Sequence, residues 1–300
     1  MKRTILPLVA LSMCLIGCFN NSKTINSSVM MPESESESSS QTITQEKDFG
    51  VFLGASIKDK DKIKGYKNIA IDVDEFNETT IEEYEKEGTH VYAYLSVGSL
   101  ETYRDYYDAF KQYTFKEYDN WPDEYWIDVS QVSWIDHLES EAERLKNKGA
   151  SGLFLDNFDV YYESLDSDKV DSEEIYKACK NIMNRLLKYE LNILINSGTD
   201  FLERMDSEDS IYCQNILKGI TWYAQECVFS SIEDYDNNVF SKQNEEDKEY
   251  YQSIIKIMKN YSSILLIEYT NDKELIKEIE DYCKNNNYSY YITNRVNLTV

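Results

Sequence analysis

From about residue 48 onward the chain repeats one pattern: a short apolar, β-branched or aromatic run, followed by an amphipathic stretch. The runs are Gly50–Leu53, Asn68–Val73, Val91–Val97, Gly152–Leu155, Asn192–Ile195, Gly219–Trp222, Ile264–Ile267 and Ser289–Ile292. The sixth is the least strand-like, being short and started by glycine. Eight strands alternating with helices admit a closed parallel barrel or an open doubly wound sheet. The dinucleotide-binding form of the open sheet carries G-x-G-x-x-G after its first strand, and no such sequence follows Gly50–Leu53. The expected fold is therefore α/β: a (β/α)8 TIM barrel forming a single domain over residues 48–300, close to the roughly 250 residues typical of that architecture.

Punctuation between the runs supports helices. Ser133 stands ahead of Trp134-Ile135-Asp136-His137-Leu138, and Gly149 follows as a stop. Asp171 and Glu174 have capping-box spacing before Ile175, Ala178, Ile182 and Leu186. Asp272 to Asn285 repeats the pattern with Leu275, Ile276 and Ile279.

The N-terminal part reads differently. Lys2 and Arg3 precede an apolar run from Ile5 to Ile16, which has the size of a signal-peptide core and is too short to span a bilayer. It ends in Leu15-Ile16-Gly17-Cys18, which resembles the lipobox of bacterial lipoproteins. That resemblance implies a signal peptide over residues 1–17, a lipid on Cys18, and a site on the extracellular face of a bacterial cell membrane. Residues 18–47 are rich in Ser, Asn, Thr and Glu and have too little apolar surface to offset the entropy of ordering, so a flexible tether is expected. The net charge of −24 argues against nucleic acid and anionic lipid surfaces as partners. The expected state is a monomer.

In such a barrel the chemistry sits where strands end. Asp72, Asp156 and Glu268 directly abut apolar runs, where desolvating a carboxylate has a cost that needs compensation. Other chemistries lack their residues. The loops after strands seven and eight contain no glycine for a phosphate, no lysine ends a strand, and neither His90 nor His137 falls at a strand exit. The cysteines form no CxxC pair, and the Asp166-Asp168-Asp171 stretch has no glycine where a calcium loop requires one. No metal and no cofactor is expected. A mouth of Asp, Glu, Asn and aromatic residues suits hydrolysis of a glycosidic bond, which needs one carboxylic acid and one carboxylate. Tyr103, Tyr125, Trp126, Tyr161, Tyr162, Trp222 and Tyr223 flank strand exits as candidate sugar platforms.

Several segments carry a family resemblance. They are Tyr92-Ala93-Tyr94-Leu95-Ser96-Val97-Gly98-Ser99-Leu100-Glu101-Thr102-Tyr103-Arg104, Trp121-Pro122-Asp123-Glu124-Tyr125-Trp126-Ile127-Asp128-Val129, and Gly149-Ala150-Ser151-Gly152-Leu153-Phe154-Leu155-Asp156-Asn157-Phe158-Asp159. With Gln225-Glu226-Cys227-Val228-Phe229 and Glu268-Tyr269-Thr270, they resemble the endo-α-1,4-polygalactosaminidase-like glycoside hydrolases of family 114. The resemblance implies a (β/α)8 barrel acting on an α-linked galactosamine-containing polysaccharide. Its catalytic carboxylates fall on Asp156 and Glu226, with their individual roles open. Asp72, Tyr94, Glu101, Arg104, Trp126, Asn157, Asp159, Asn196, Glu268 and Tyr269 are the expected substrate-binding residues. Asp123 stands where the family pattern has glycine. The competing reading is a barrel without catalysis, a tethered glycan-binding lipoprotein; a hydrolase of another microbial glycan is a third.

Overall fold

A computed structural model describes residues 47–208 and 210–300. The signal segment, Cys18 and the tether up to residue 46 lie outside the described residues.

Eight parallel strands form one sheet in the order of the chain. They are β1 (Lys47–Phe52), β2 (Tyr66–Ile71), β3 (His90–Ser96), β4 (Gly152–Asp156), β5 (Asn192–Asn196), β6 (Trp222–Glu226), β7 (Ser263–Tyr269) and β8 (Ser289–Thr293). The ladder runs unbroken from β1 to β8. At the seam between last and first strand, side chains connect the edges. Ser289 donates to Asp48, and the rings of Phe52 and Tyr291 meet at 5.3 Å. The sheet is a nearly closed barrel, as the alternation of runs implies.

Aromatic residues fill the barrel floor. Phe49 of β1 lies 5.5 Å from Tyr92 of β3 and 5.4 Å from Trp222 of β6, contacts that cross the interior. Trp222, a candidate sugar platform from sequence, therefore lies at the end opposite the mouth.

Helices pack outside: α1 (Glu78–Lys86), α2 (Val132–Asn147), α3 (Ser172–Leu186), α4 (Thr199–Ser207), α5 (Ile211–Lys218), α6 (Glu245–Met258) and α7 (Lys273–Asn286). Asp171 caps α3 by accepting from the Glu173 and Glu174 amides, and Asp272 caps α7 in the same way. Only half of the expected capping box forms, because the Glu174 carboxylate takes Lys177 instead. Helix α2 starts at Val132, before Ser133, with Gln131 at its cap. Gly149 then ends it at φ 105°, a conformation glycine adopts without strain. The sixth strand is shifted from its expected place: Gly219 and Ile220 close α5 by turning back onto Ile216 and Leu217. The strand's apolar content comes from Tyr223 and Ala224.

Two excursions leave the rim. Between β3 and α2, strands Ser99–Glu101, Glu124–Ile127 and Thr114–Glu117 form an antiparallel sheet. After β6, Ser230–Asp234 and Val239–Lys242 form a hairpin. The hairpin is held at its base by Glu268. This residue was expected to face substrate, but alternation along β7 turns it away from the interior that Tyr269 faces, and it is fully buried. Its carboxylate accepts from the amides of Val228 (3.1 Å), Phe229 (3.1 Å) and Ser230 (2.9 Å), and from the Ser230 hydroxyl (2.6 Å). Glu268→Ala strands three buried amide donors and the Ser230 hydroxyl. It is expected to lower the unfolding free energy by about 3 kcal/mol or more, read by urea titration; a loss below about 1 kcal/mol would mean the loop is held by other contacts.

Candidate active site

Side chains that pair across neighbouring parallel strands point the same way, and alternate residues along a strand point oppositely. Phe154 pairs with Leu194, Asn196 with Ala224, and Glu226 with Ile267. Counting by twos puts Asp156, Asn196, Glu226 and Tyr269 on one inner face, at the C-terminal end of the barrel. The hydrogen bonds agree. Asn196 Nδ2 donates to Asp156 Oδ1 at 3.0 Å and to Glu226 Oε1 at 2.7 Å. Two oxygens served by one amide nitrogen stand about 5 Å apart. Tyr269 donates its hydroxyl to Glu226 Oε2 at 2.7 Å, and the Asn157 amide donates to Asp156 Oδ1 at 3.0 Å. Asp156 Oδ2 is the only oxygen of the pair without a partner among the described residues.

Burial raises both carboxyl groups above their ordinary range. Asp156 is raised furthest, because the charge of Glu226 adds to its desolvation. The Asn196 donor works in the opposite direction on both, and Tyr269 does so on Glu226. The two titrate as a unit that keeps a proton where isolated carboxylates have lost theirs. The Asn196 carbonyl oxygen is buried without a partner, an orphan of the kind that marks functional positions.

The backbone at these strand ends is strained in a repeated way. The residue after each of Asp156, Asn196 and Glu226 adopts the left-handed region: Asn157 at φ 68°, Ser197 at 54° and Cys227 at 57°. Such residues cost on the order of 1–3 kcal/mol each and persist where surrounding contacts over-determine them. Gly98 makes one of these turns possible. A Cβ there would stand 1.9 Å from the Asn157 carbonyl oxygen.

Asn157 extends the site to a carboxylate that the sequence reading did not single out. Its Nδ2 donates to Ser99 Oγ (2.9 Å), Ser96 Oγ (3.1 Å) and Glu124 Oε1 (3.3 Å), and its Oδ1 accepts from Tyr118 (3.3 Å). Ser99 also donates to Glu124. Glu226, Asn196, Asp156, Asn157 and Glu124 thus form a row in which carboxylates alternate with amides. Burial pushes Glu124 up to about 7. The signal for Glu124 was its position two residues before Trp126, on the same face of a strand. Trp126 itself is 3% exposed and stacks on Tyr118 at 4.4 Å, which makes it a wall rather than the substrate contact expected.

A second group lies beside the row. Arg104 pairs with Asp72 Oδ2 at 2.9 Å and with Glu101 Oε2 at 2.5 Å, and its guanidinium lies 5.8 Å from the centre of the Tyr94 ring. Tyr103 donates to Glu101 at 2.8 Å. The charges of Asp72 and Glu101 are therefore committed to Arg104, which burial in this triad separates from an ordinary surface cation. Asp159 accepts from the Gly198 amide at 3.1 Å, tying the loop after β4 to that after β5, and burial pushes it up to about 7. Among the proposed platforms, Tyr161 and Tyr223 are buried, while Tyr103 and Tyr162 are exposed.

With this geometry in hand, comparison with known proteins adds the following. The profile of glycoside-hydrolase family GH114 matches residues 32–298. The glycoside hydrolase domain of PelA from Pseudomonas aeruginosa superposes with TM-score 0.68 at 17% identity, covering 85% of this chain and 96% of that one. Ega3 of Aspergillus fumigatus, solved in complex with galactosamine, gives 0.64 at 18% identity, covering 85% and 93%. These likenesses show the fold. An uncharacterised protein of Methanocaldococcus jannaschii is 23% identical over 226 residues, 69% of this chain and 61% of the archaeal protein.

Asn196→Ala removes the donor that favours the ionised form of both carboxyl groups, so both should titrate at higher pH. Carboxyl-carbon NMR titration of wild type and variant reads this directly; an unmoved or lowered pair would show that the amide does not set the balance.

Proposed function

Because the chain belongs to glycoside-hydrolase family GH114, we propose that its barrel mouth hydrolyses an α-linked galactosamine-containing polysaccharide by two-carboxylate catalysis. The observation that carries the reading is the Asn196 amide joining two half-buried carboxyl groups. Their separation of about 5 Å suits a retaining mechanism, in which one group is nucleophile and the other acid and then base. The ionised member of the pair is the nucleophile: it bonds to the anomeric carbon as the glycosidic carbon–oxygen bond breaks, and the protonated member gives its proton to the departing oxygen. The latter then takes a proton from water, whose oxygen displaces the nucleophile and returns the enzyme to its starting state. Tyr269 stabilises the ionised form of Glu226. The strongly acidic chain favours approach of a cationic, partly deacetylated amino-sugar polymer.

Residues 47–300 incubated with polygalactosamine should release oligosaccharides. Asp156→Asn should slow release at least about 1,000-fold. Glu226→Gln should fail equally on the polymer, and the variant of the two that still gives an initial burst of nitrophenol from a nitrophenyl glycoside, whose leaving group needs no proton, is the one that has lost the acid. Binding without release by the wild type would instead support the tethered glycan-binding alternative.

We read Cys18 as the lipidated residue that anchors this enzyme on the outer face of a bacterial membrane. Full-length wild type should partition into the membrane fraction and Cys18→Ser should not. Equal partitioning would remove the anchor from the reading.

A further inference from the structure

The two excursions rise from separate sectors of the rim. One follows β3 and the other follows β6, with β4 and β5 between them in the sheet. Their tips nevertheless touch. The Trp121 ring, at the turn between Thr114–Glu117 and Glu124–Ile127, meets Tyr235 of the hairpin turn edge-on, with centroids 6.0 Å apart and planes at 83°. Trp121 remains 39% exposed, so part of its indole is open to a ligand.

Each ring is held by the site's own framework. The Trp121 amide donates to the Tyr118 carbonyl at 3.4 Å, and the Trp121 carbonyl accepts from the Glu124 amide at 3.0 Å. Tyr118 and Glu124 are both partners of Asn157. The Tyr235 hairpin is fixed at its base by Glu268 and at its turn by the Val296 amide, which donates to Asn238 at 2.7 Å. Tyr235 belongs to the hairpin that directly follows β6, and burial pushes its hydroxyl up to about 12. An aromatic pair tied to Asn157 on one side and to the hairpin after β6 on the other borders the row of carboxylates and amides.

We propose that Trp121 and Tyr235 form a stacking subsite for a second pyranose ring of the glycan, next to the ring whose anomeric carbon meets the carboxyl pair. The inference rests on the glycoside hydrolase reading of the site and adds a subsite to it. Edge-to-face packing leaves ring faces open for the apolar face of a sugar, and the contact between excursions holds both rings in place before substrate arrives.

The test compares two substrates, a galactosamine oligosaccharide that fills both sides of the cleavage point and an α-galactosaminyl fluoride, whose leaving group has no ring. Trp121→Ala and Tyr235→Ala should each lower kcat/KM for the oligosaccharide by about tenfold. Hydrolysis of the fluoride should change by less than about twofold, and Trp121→Phe should recover much of the loss. Fluoride hydrolysis also reports that each variant is folded. Variants that lose both activities in proportion, or neither, would overturn the subsite while leaving the enzyme standing. A wild type inert toward both substrates would sink the reading of the site and the subsite with it.

Discussion

The Asn196 amide donates to Asp156 on one side and Glu226 on the other, and the rest of the mouth is organised around that contact. Two half-buried carboxyl groups this close repel each other and lose part of their hydration, so they need a donor that is itself uncharged. An amide provides it without adding a titration of its own. The same bond fixes the spacing of the pair, because both oxygens must sit at hydrogen-bond distance from one nitrogen. Asn157 repeats the arrangement one position along, between Asp156 and Glu124.

Holding these groups requires backbone that the sequence would not adopt alone. Asn157, Ser197 and Cys227 all take left-handed conformations directly after the residues that form the pair and its bridge. Ser and Cys have no special tolerance for that region, so neighbouring contacts must impose it. The Cys227 amide is drawn to the Ile267 carbonyl at 3.0 Å, and the next three amides are gathered by the buried Glu268 carboxylate. The Ser197 amide continues the ladder to Ala224 at 2.9 Å. The site is therefore rigid at its base, which suits a chemistry that depends on fixed carboxylate geometry.

Charge is distributed unevenly around this centre. Arg104 absorbs Asp72 and Glu101 in a half-buried triad, while the central carboxyl groups have amides and a phenol for partners instead of cations. A cation beside the pair would pull both groups toward ionisation and leave no proton to donate. Separating Arg104 from the pair keeps that proton available.

The sequence by itself determined the class of fold and the strand-end residues. The alternation of short apolar runs with capped amphipathic stretches needs only local periodicity, and Asp156 was visible because a parallel barrel exposes whatever ends its strands, while Glu226 and Asn196 came through the family resemblance. Boundaries were less legible where one residue could serve two elements, as Gly219 and Ile220 close α5 rather than open β6. Tertiary structure alone decided which side chains face inward. Glu268 and Tyr269 are adjacent in sequence, yet one clamps a loop and the other touches Glu226, because successive residues on a strand face opposite ways and only the register with β6 says which. Glu124 and Trp121 reach the mouth on an excursion whose path is set by long-range packing, which no local pattern encodes.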